Sequence, residues 1–243
     1  MQRKDTLYRH RDSAGSDFVF DDAVASVFSD MITRSVPGYG MTLSMLELIA
    51  ARFGQPASQV YDLGCSLGEG LIALSRGLGK LECRLIGVDN SPAMVERCQS
   101  AFADTRSSRA VDVICGDLTQ TPIENASLVV LNFTLQFIDV SKRQQLIDTI
   151  YEGLNKGGAL VLSEKIQLAD TCLNTLNAEL HTQFKQLNGY SELEITRKRN
   201  ALEAVLVPET LEMHTARLQR AGFSLYGHWF RCFNFVSWVA IKE

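Results

Sequence analysis

Val60-Tyr61-Asp62-Leu63-Gly64-Cys65-Ser66-Leu67-Gly68-Glu69-Gly70 is the stretch on which the fold turns. Strand-forming residues lead into an acid, a glycine-punctuated turn, and an apolar run of helical period from about Glu69 to Leu78. Strand, tight loop and helix N-terminus in that order make the entrance of a nucleotide-type site in an open α/β sheet. Glycine lets backbone approach a ligand closely. The first turn of the helix offers N–H groups that have no partner within the helix. Asp62 closes a strand expected to be buried, where a charge has no obvious structural purpose.

The spacing narrows the ligand. Asp62, Gly64, Ser66 and Gly68 read D-x-G-x-S-x-G. A dinucleotide fingerprint reads G-x-G-x-x-G and carries no acid ahead of its first glycine. An acid there suits a ligand with a cationic amino acid tail better than a pyrophosphate. The pattern resembles motif I of the class I S-adenosyl-L-methionine (SAM) dependent methyltransferases, D/E-x-G-x-G-x-G, from which Ser66 departs at the middle glycine.

The rest of the chain fits one α/β unit of 243 residues, with 46% hydrophobic residues to fill its core. Against 24 bases stand 28 acids, a formal net charge of −4, so no global field draws the protein to nucleic acid. The six cysteines are scattered without a C-x-x-C pair, and several fall on apolar strands. They read as buried free thiols of a reducing compartment, with no metal site. The polar start lacks a signal-peptide core, and no apolar run reaches the length of a membrane span. The expectation is a soluble, cytoplasmic protein.

Residues 1–20 read as a polar, partly ordered arm, and 21–243 as a single SAM-binding domain. Residues 21–34 carry Ala23, Val24, Val27, Phe28, Met31 and Ile32 at helical spacing. Pro37 and Gly38 break that helix, and a second follows with Leu43, Leu46, Ile49 and Phe53 on one face. Together, 21–55 would cover a pocket at the strand ends. Tyr39, on the loop between them, serves either packing or as a lid.

Strands then alternate with helices, the signature of a parallel sheet. They are placed at about Gln59–Leu63, Arg84–Asp89, Val111–Cys115, Ser127–Phe133 and Ala159–Ser163. Ser91 and Pro92 open one helix, and Ser141 with Gln144 reads as the capping box of another. Residues 165–207 form a helical insertion. Its first helix bears the stripe Leu173, Leu176, Leu180, Phe184 and Leu187, and Gly189 is a natural stop. Ser191 and Glu194 then make a capping box for a helix carrying Arg197-Lys198-Arg199. These helices lie over the pocket or form a dimer interface. Successive helical residues differ by about 100° in direction, so all three bases cannot address one ligand. Pro208 begins the last helix, and two terminal strands turn near Cys232–Asn234.

In such a sheet the ligand sits at the carboxyl ends of the strands. Asp62, Asp89, Asp117 and Asn132 all fall there. Asp89 follows Gly64 by 25 residues, close to the spacing of about 20 for an acid that holds a ribose diol. The superfamily resemblance implies a Rossmann-like, mostly parallel seven-stranded sheet with an antiparallel last strand. It also implies roles: Gly64, Cys65 and Ser66 against the methionine part, Asp89 on the ribose hydroxyls, Asn90 beside adenine or ribose, Asp117 and Leu118 at the adenine, and Asn132 facing the tail or the reacting methyl.

Five stretches are more specific: Arg34–Tyr39, Tyr61–Gly68, Asp89–Met94, Leu131–Phe137 and Asn188–Ile195. Together they resemble the carboxy-S-adenosyl-L-methionine synthases over nearly the whole chain, and Ser66 fits that family's own loop. Tyr39, inside one of these stretches, joins the binding set. The resemblance implies conversion of SAM and prephenate to carboxy-SAM, phenylpyruvate and water. The product supplies tRNA wobble-uridine modification through a separate carboxymethyl-transferring enzyme. It further implies a homodimer in which Arg199 reaches across the interface to the carboxylate of carboxy-SAM, which selects Arg199 from the triplet as both binding and catalytic. No metal, membrane or direct nucleic-acid contact is implied.

That chemistry needs no strong protein base. A sulfonium acidifies its methyl, and prephenate sheds carbon dioxide and hydroxide as its ring becomes aromatic. The hydroxide takes the methyl proton, giving water, and the resulting carbon nucleophile captures the carbon dioxide. What remains for the protein is proximity, exclusion of water and stabilisation of carboxylates. A guanidinium suits the last, being always charged and bidentate. His10, His181, His214 and His228 share no motif with the strand-end acids, and structural roles are expected of them. Tyr190 and His181 are the weaker candidates for touching prephenate. The competing readings are a conventional methyltransferase acting on a small molecule or tRNA, and a SAM-binding module without turnover.

Overall fold

The computed structural model describes residues 4–10 (the His10 side chain apart), 18–103, 111–203 and 205–243. Residues 1–3 and 11–17 of the expected arm lie outside them. Four helices precede the sheet: α1 (Leu7–His10), α2 (Asp22–Ala25), α3 (Phe28–Ser35) and α4 (Tyr39–Phe53). Then come β1 (Gln59–Leu63), α5 (Glu69–Leu78), β2 (Arg84–Asp89), α6 (Pro92–Ala103), β3 (Val111–Cys115), β4 (Ala126–Asn132), α7 (Val140–Gly153) and β5 (Leu154–Lys165). The insertion supplies α8 (Thr171–Leu187) and α9 (Glu192–Glu203). The chain ends with α10 (Leu211–Ala221), β6 (Leu225–Cys232) and β7 (Phe235–Ile241). None of the described helices is long and apolar enough to cross a membrane.

The seven strands run β3-β2-β1-β4-β5-β7-β6. β1 to β5 pair in parallel, and β7 lies antiparallel to both β5 and β6. Strand order reverses between β1 and β4, which opens a crevice at the carboxyl ends of those strands. Alternating side chains feed two cores. Leu63, Val88, Leu131, Leu162 and Trp238 pack on α7 and α10. Val60, Leu85, Val130 and Val161 pack on α4 and α5. Leu128 to Leu131 are buried on both faces, as a central parallel strand requires.

Several sequence expectations are corrected here. The helix expected over 21–34 is two helices, because Val27 departs from helical geometry (φ −127°, ψ 4°) and the Ser26 hydroxyl donates to the Ala23 carbonyl. The α7 cap is Asp139, whose carboxylate accepts from Ser141 N, while Gln144 donates to Asp148. α10 starts after Thr210, not at Pro208. The described part of the arm is docked: Asp5 is buried and accepts from the Tyr190 hydroxyl, and Arg9 pairs with Glu194. Only Cys65 and Cys98 are buried, and Cys115 and Cys172 are exposed, although none of the six forms a disulfide. The Ser191–Glu194 capping box forms as expected, with Ser191 N donating to Glu194 and Glu194 N to the Ser191 hydroxyl.

One buried network ties the insertion's return to the sheet. Glu209 accepts from Arg143 at 2.5 Å and from Arg217 at 2.6 Å. Arg143 also donates to the carbonyls of Gln136, Ile138 and Val207. These bonds fix the turn after β4, which borders the crevice.

Candidate functional site

The loop after β1 is held by its glycines and by β2. Gly64 sits at φ +84°, and a Cβ there would lie 2.4 Å from the Thr134 side chain. Ser66 takes φ +48°, a left-handed conformation that L residues rarely adopt. Its N–H donates to Asp89 Oδ2 at 2.9 Å, while Asp89 Oδ1 accepts from Ser91 N at 2.9 Å. The strained serine is thus clamped to the end of β2, and its hydroxyl stands where a superfamily glycine would leave space. Asp89 is buried, and that burial raises its carboxyl.

Asp62 has a structural task that the sequence did not suggest. Its carboxylate accepts from Leu71 N in the first turn of α5, an arrangement favoured by the helix dipole. A Cβ on Gly70 would lie 2.4 Å from Asp62 Oδ2, so glycine makes room for that approach. Burial first, and repulsion from Asp89 second, push the Asp62 carboxyl up to about 7. Among the described residues, no base is ion-paired with Asp62 or Asp89. Two crowded carboxylates in that state favour a cation between or beside them.

The other expected residues divide into three groups. Asn132 ends β4 beside Ser163 of β5. Its Oδ1 is buried without a hydrogen-bond partner, an acceptor in want of a donor. Asn90 is exposed at the mouth next to Asp89. Asp117 is exposed after β3, which is tied to β2 by Gly116 N donating to the Asp89 carbonyl. Its Oδ1 accepts from Thr119 N and hydroxyl, which lowers its carboxyl. These residues are brought together by adjacent strand ends. Cys65 and Leu118 also lie there, but their side chains belong to the cores. The Cys65 thiol pairs with Cys98, which together with burial raises it strongly. Leu118 joins the α7 and α10 side. The binding role expected of either residue would fall to its backbone.

Tyr39 is no loop lid. It is the first residue of α4, buried with Phe133 and Phe235, and its hydroxyl donates to Glu69. It therefore joins the helical cover to the start of α5. Arg199 stands apart from the loop residues, exposed on α9. It is near enough to Lys165 and Lys185 to lower both ammonium groups. Sequence reading missed these two lysines, since a lone lysine on a strand end or helix face carries no local signal.

His214 and His228 are structural, each ring 5.1 Å from that of Trp238. His181 is buried 4.9 Å from the Phe235 ring. Its Nε2 bonds the Ser35 carbonyl at 2.8 Å and so must be the protonated nitrogen. Burial and then Lys185 push His181 down to about 3, leaving it neutral. Tyr190 is committed elsewhere: its hydroxyl donates to Asp5 at 2.5 Å and Arg34 stacks 3.9 Å above its ring. Glu164 is also buried. It accepts from Leu135 N through Oε1, lacks a partner on Oε2, and is raised by burial to about 8. Among the described residues, no cluster of His, Cys, Asp or Glu could hold a metal ion.

The donor and acceptor set fits a nucleoside with a cationic amino acid tail. Asp89 can accept from a diol, and Asp62 with the unpartnered Asn132 Oδ1 offers anionic and acceptor character to an ammonium or sulfonium.

Comparisons with known proteins agree. Residues 60–158 match the family model of a methyltransferase domain. The chain is 51% identical over 242 residues to the carboxy-S-adenosyl-L-methionine synthase of Shigella boydii serotype 4 (strain Sb227), covering 100% of this chain and 98% of that relative. The enzyme of the same description from Escherichia coli (strain SE11) shows the same identity and coverage. Among solved structures, magnesium protoporphyrin IX methyltransferase from Synechocystis aligns with a TM-score of 0.61 at 16% identity, over 88% of this chain and 87% of that one. Human N-acetylserotonin methyltransferase aligns at 0.60 and 16%, over 91% and 55%. At such identities these structures establish the Rossmann-like class I methyltransferase fold.

Proposed function

The chain belongs to the carboxy-S-adenosyl-L-methionine synthase family, and we propose that it forms carboxy-SAM from SAM and prephenate, releasing phenylpyruvate and water. The observation that carries this reading is the pairing of two opposite charge environments at one sheet edge. Buried acids with no base ion-paired to them among the described residues stand at β1 and β2. Bases with no acid ion-paired to them among the described residues stand beyond β5, Arg199 among them.

Each partner in the reaction has a matching environment. The SAM ribose meets Asp89 and its amino acid tail meets Asp62 and Asn132. The new carboxylate meets the Arg199 guanidinium, which stays charged throughout. Hydroxide released from prephenate takes the methyl proton, and the methylene carbon bonds the released carbon dioxide, so atoms and charge balance. The protein holds the two substrates in contact and shields the nucleophilic carbon from water. The product serves as the carboxymethyl donor for a separate enzyme that modifies tRNA wobble uridine.

A homodimer is part of the proposal. Leu173, Leu176, Leu187 and Leu193 of the insertion are exposed, Leu187 at 88%, an apolar surface that a second copy would cover. Arg199 of each protomer then serves the partner's site. Mixing Arg199→Ala with Asp89→Ala protein tests this. If Arg199 acts across the interface, half of the dimers are mixed and each carries one intact site, so activity returns to about a quarter of wild type. If it acts within its own chain, nothing returns.

The reaction itself is tested by incubating folded enzyme with SAM and prephenate and weighing the nucleoside by mass spectrometry. A species heavier than SAM by one carbon dioxide is expected. S-adenosylhomocysteine with a methylated acceptor would support the conventional methyltransferase instead.

A further inference from the structure

The bases at the far end of the crevice form a second site. Asn132, Ser163 and Ser237 lie in one row across β4, β5 and β7, with Ser163 and Ser237 hydroxyls 2.7 Å apart. On that sheet face Asp62 and Val130 point toward α4 and α5. Lys165 lies on the same face, two residues (about 7 Å) beyond Ser163. Its neighbour in register is Phe235. The Phe235 ring is 5.9 Å from Phe133 and 4.9 Å from His181, and it packs with Tyr39. Lys165 is anchored by its own N–H, which donates to Gln136 Oε1 at 3.0 Å. From the insertion, Lys185 on α8 and Arg199 on α9 bring their charges within electrostatic reach of Lys165 and of each other.

The neighbouring bases differ in one respect. Arg34 is paired with Asp30 at 2.9 Å, and Lys198, pushed down to about 7 by burial although Asp5 favours its charge, is engaged by donating to the Ser35 hydroxyl at 2.9 Å. Among the described residues, no carboxylate is ion-paired with Lys165, Lys185 or Arg199. Burial and mutual repulsion lower Lys165, and push Lys185 down to about 8. His181 is neutral and adds no charge. Three bases thus lie within electrostatic reach of one another, next to the packed rings of Phe235, Phe133 and His181.

We propose that Lys165 and Lys185 form the carboxylate clamp for the cyclic dicarboxylate co-substrate, whose ring rests on Phe235 and Phe133, leaving the carboxylate of the product to the partner subunit's Arg199. This rests on the carboxy-SAM reading of the site. The clamp grips the side-chain carboxylate of prephenate, the one retained in phenylpyruvate. A lysine pair on the departing ring carboxylate would stabilise the ground state and slow its loss. Against Phe235 and Phe133 that carboxylate is desolvated, which favours its release as neutral carbon dioxide. The position beyond the Asn132–Ser163 row sets the released carbon dioxide next to the SAM methyl.

The experiment uses full-length Lys165→Gln and Lys185→Gln enzymes, with Lys165→Arg as the charge-preserving control. Each Gln variant should raise KM for prephenate about tenfold or more, the scale of one lost charged hydrogen bond. SAM dissociation constants should stay within about twofold of wild type, since the clamp does not touch the nucleoside. Inhibition by added phenylpyruvate should weaken by the same factor as prephenate binding, and Lys165→Arg should recover most of it. Unchanged prephenate KM in both Gln variants would overturn the proposal, as would a rise in prephenate KM with phenylpyruvate inhibition untouched. Equal losses for SAM and prephenate would also overturn it, placing the lysines in the scaffold. Wild-type enzyme is run alongside. Its failure to make carboxy-SAM would remove the reaction itself, whereas product from wild type with indifferent variants removes only the clamp.

An orthogonal readout needs no turnover. At pH 8 an amine-acylating reagent should label Lys185 ahead of ordinary surface lysines, because more of it is unprotonated. Prephenate or phenylpyruvate should protect Lys185 in the peptide map. Labelling unaffected by either acid would contradict the clamp.

Discussion

The crevice has two ends, and they are opposites. Around β1 and β2, Asp62 and Asp89 are buried carboxylates with raised proton affinity. Beyond β5, Lys165 and Lys185 have lowered proton affinity, and Arg199 stands close by. Neither end carries its own countercharge among the described residues. Each would gain from an opposite guest: a sulfonium amino acid at the acidic end, a dicarboxylate at the basic end. The net charge of −4 conceals this division. A protein that only donated a methyl to a neutral acceptor would need the first end and not the second.

Removing the acidic end should have the largest effect. Asp89→Ala should weaken SAM and carboxy-SAM alike by about a hundredfold, since two bonds to a charged acceptor are lost. Titration calorimetry with each nucleoside checks this, and unchanged affinity would take Asp89 out of the ribose site. Next in size is Arg199→Ala. Carboxy-SAM binding should fall by about thirtyfold with SAM binding nearly intact, the difference being one guanidinium–carboxylate pair. Equal losses would remove the distinction between the two ends.

Opposite pH slopes give a smaller and sharper test. Asp62 has a folded-state carboxyl raised to about 7, so a cationic tail must displace its proton at lower pH. SAM affinity should therefore rise with pH between about 5.5 and 7, at most tenfold per unit. Asp62→Asn should flatten that slope. Lys185, lowered to about 8 with Lys165, Lys198, Arg199 and His181 around it, should hold a dicarboxylate best while protonated. Prephenate affinity should fall as pH rises through about 8. The same raised Asp62 value affects folding with the reverse sign. Its contribution to the stability of the ligand-free protein is present at low pH and lost as pH climbs through about 7.

The smallest effect belongs to a change outside both ends. The Thr210 hydroxyl accepts from Met213 N at 3.3 Å and caps α10. Thr210→Ala should cost about 1 kcal/mol of stability without altering either affinity. Thermal melting and calorimetry on the same sample separate the two.

The two ends also differ in how far the sequence betrays them. The acidic end is local: the spacing from Asp62 to Gly68 and the acid closing the next strand mark it in a few dozen residues. Strand positions and the parallel sheet follow from alternating elements, and the terminal hairpin from the turn near Phe233. The basic end is assembled by topology. Lys165, Lys185 and Arg199 come from a strand and two insertion helices. Phe235 meets Lys165 only because β7 inserts antiparallel beside β5. The Glu209 network is equally silent, joining Arg143 and Arg217 across distant helices. Finer misreadings have local causes. Asp139 outcompetes Ser141 as the cap of α7, and Gly38 at φ 76° starts α4 earlier than expected, so Tyr39 takes its expected packing role from the helix and not from the loop.

The most direct test of carboxyl transfer is to follow the carbon. Prephenate labelled with heavy carbon in its ring carboxylate alone is mixed with SAM and enzyme, and the nucleoside is fragmented in the mass spectrometer. The label is expected in the carboxymethyl group on sulfur, in step with phenylpyruvate release. Unlabelled nucleoside from folded, SAM-binding enzyme, with S-adenosylhomocysteine as its only product, would contradict carboxyl transfer at this site.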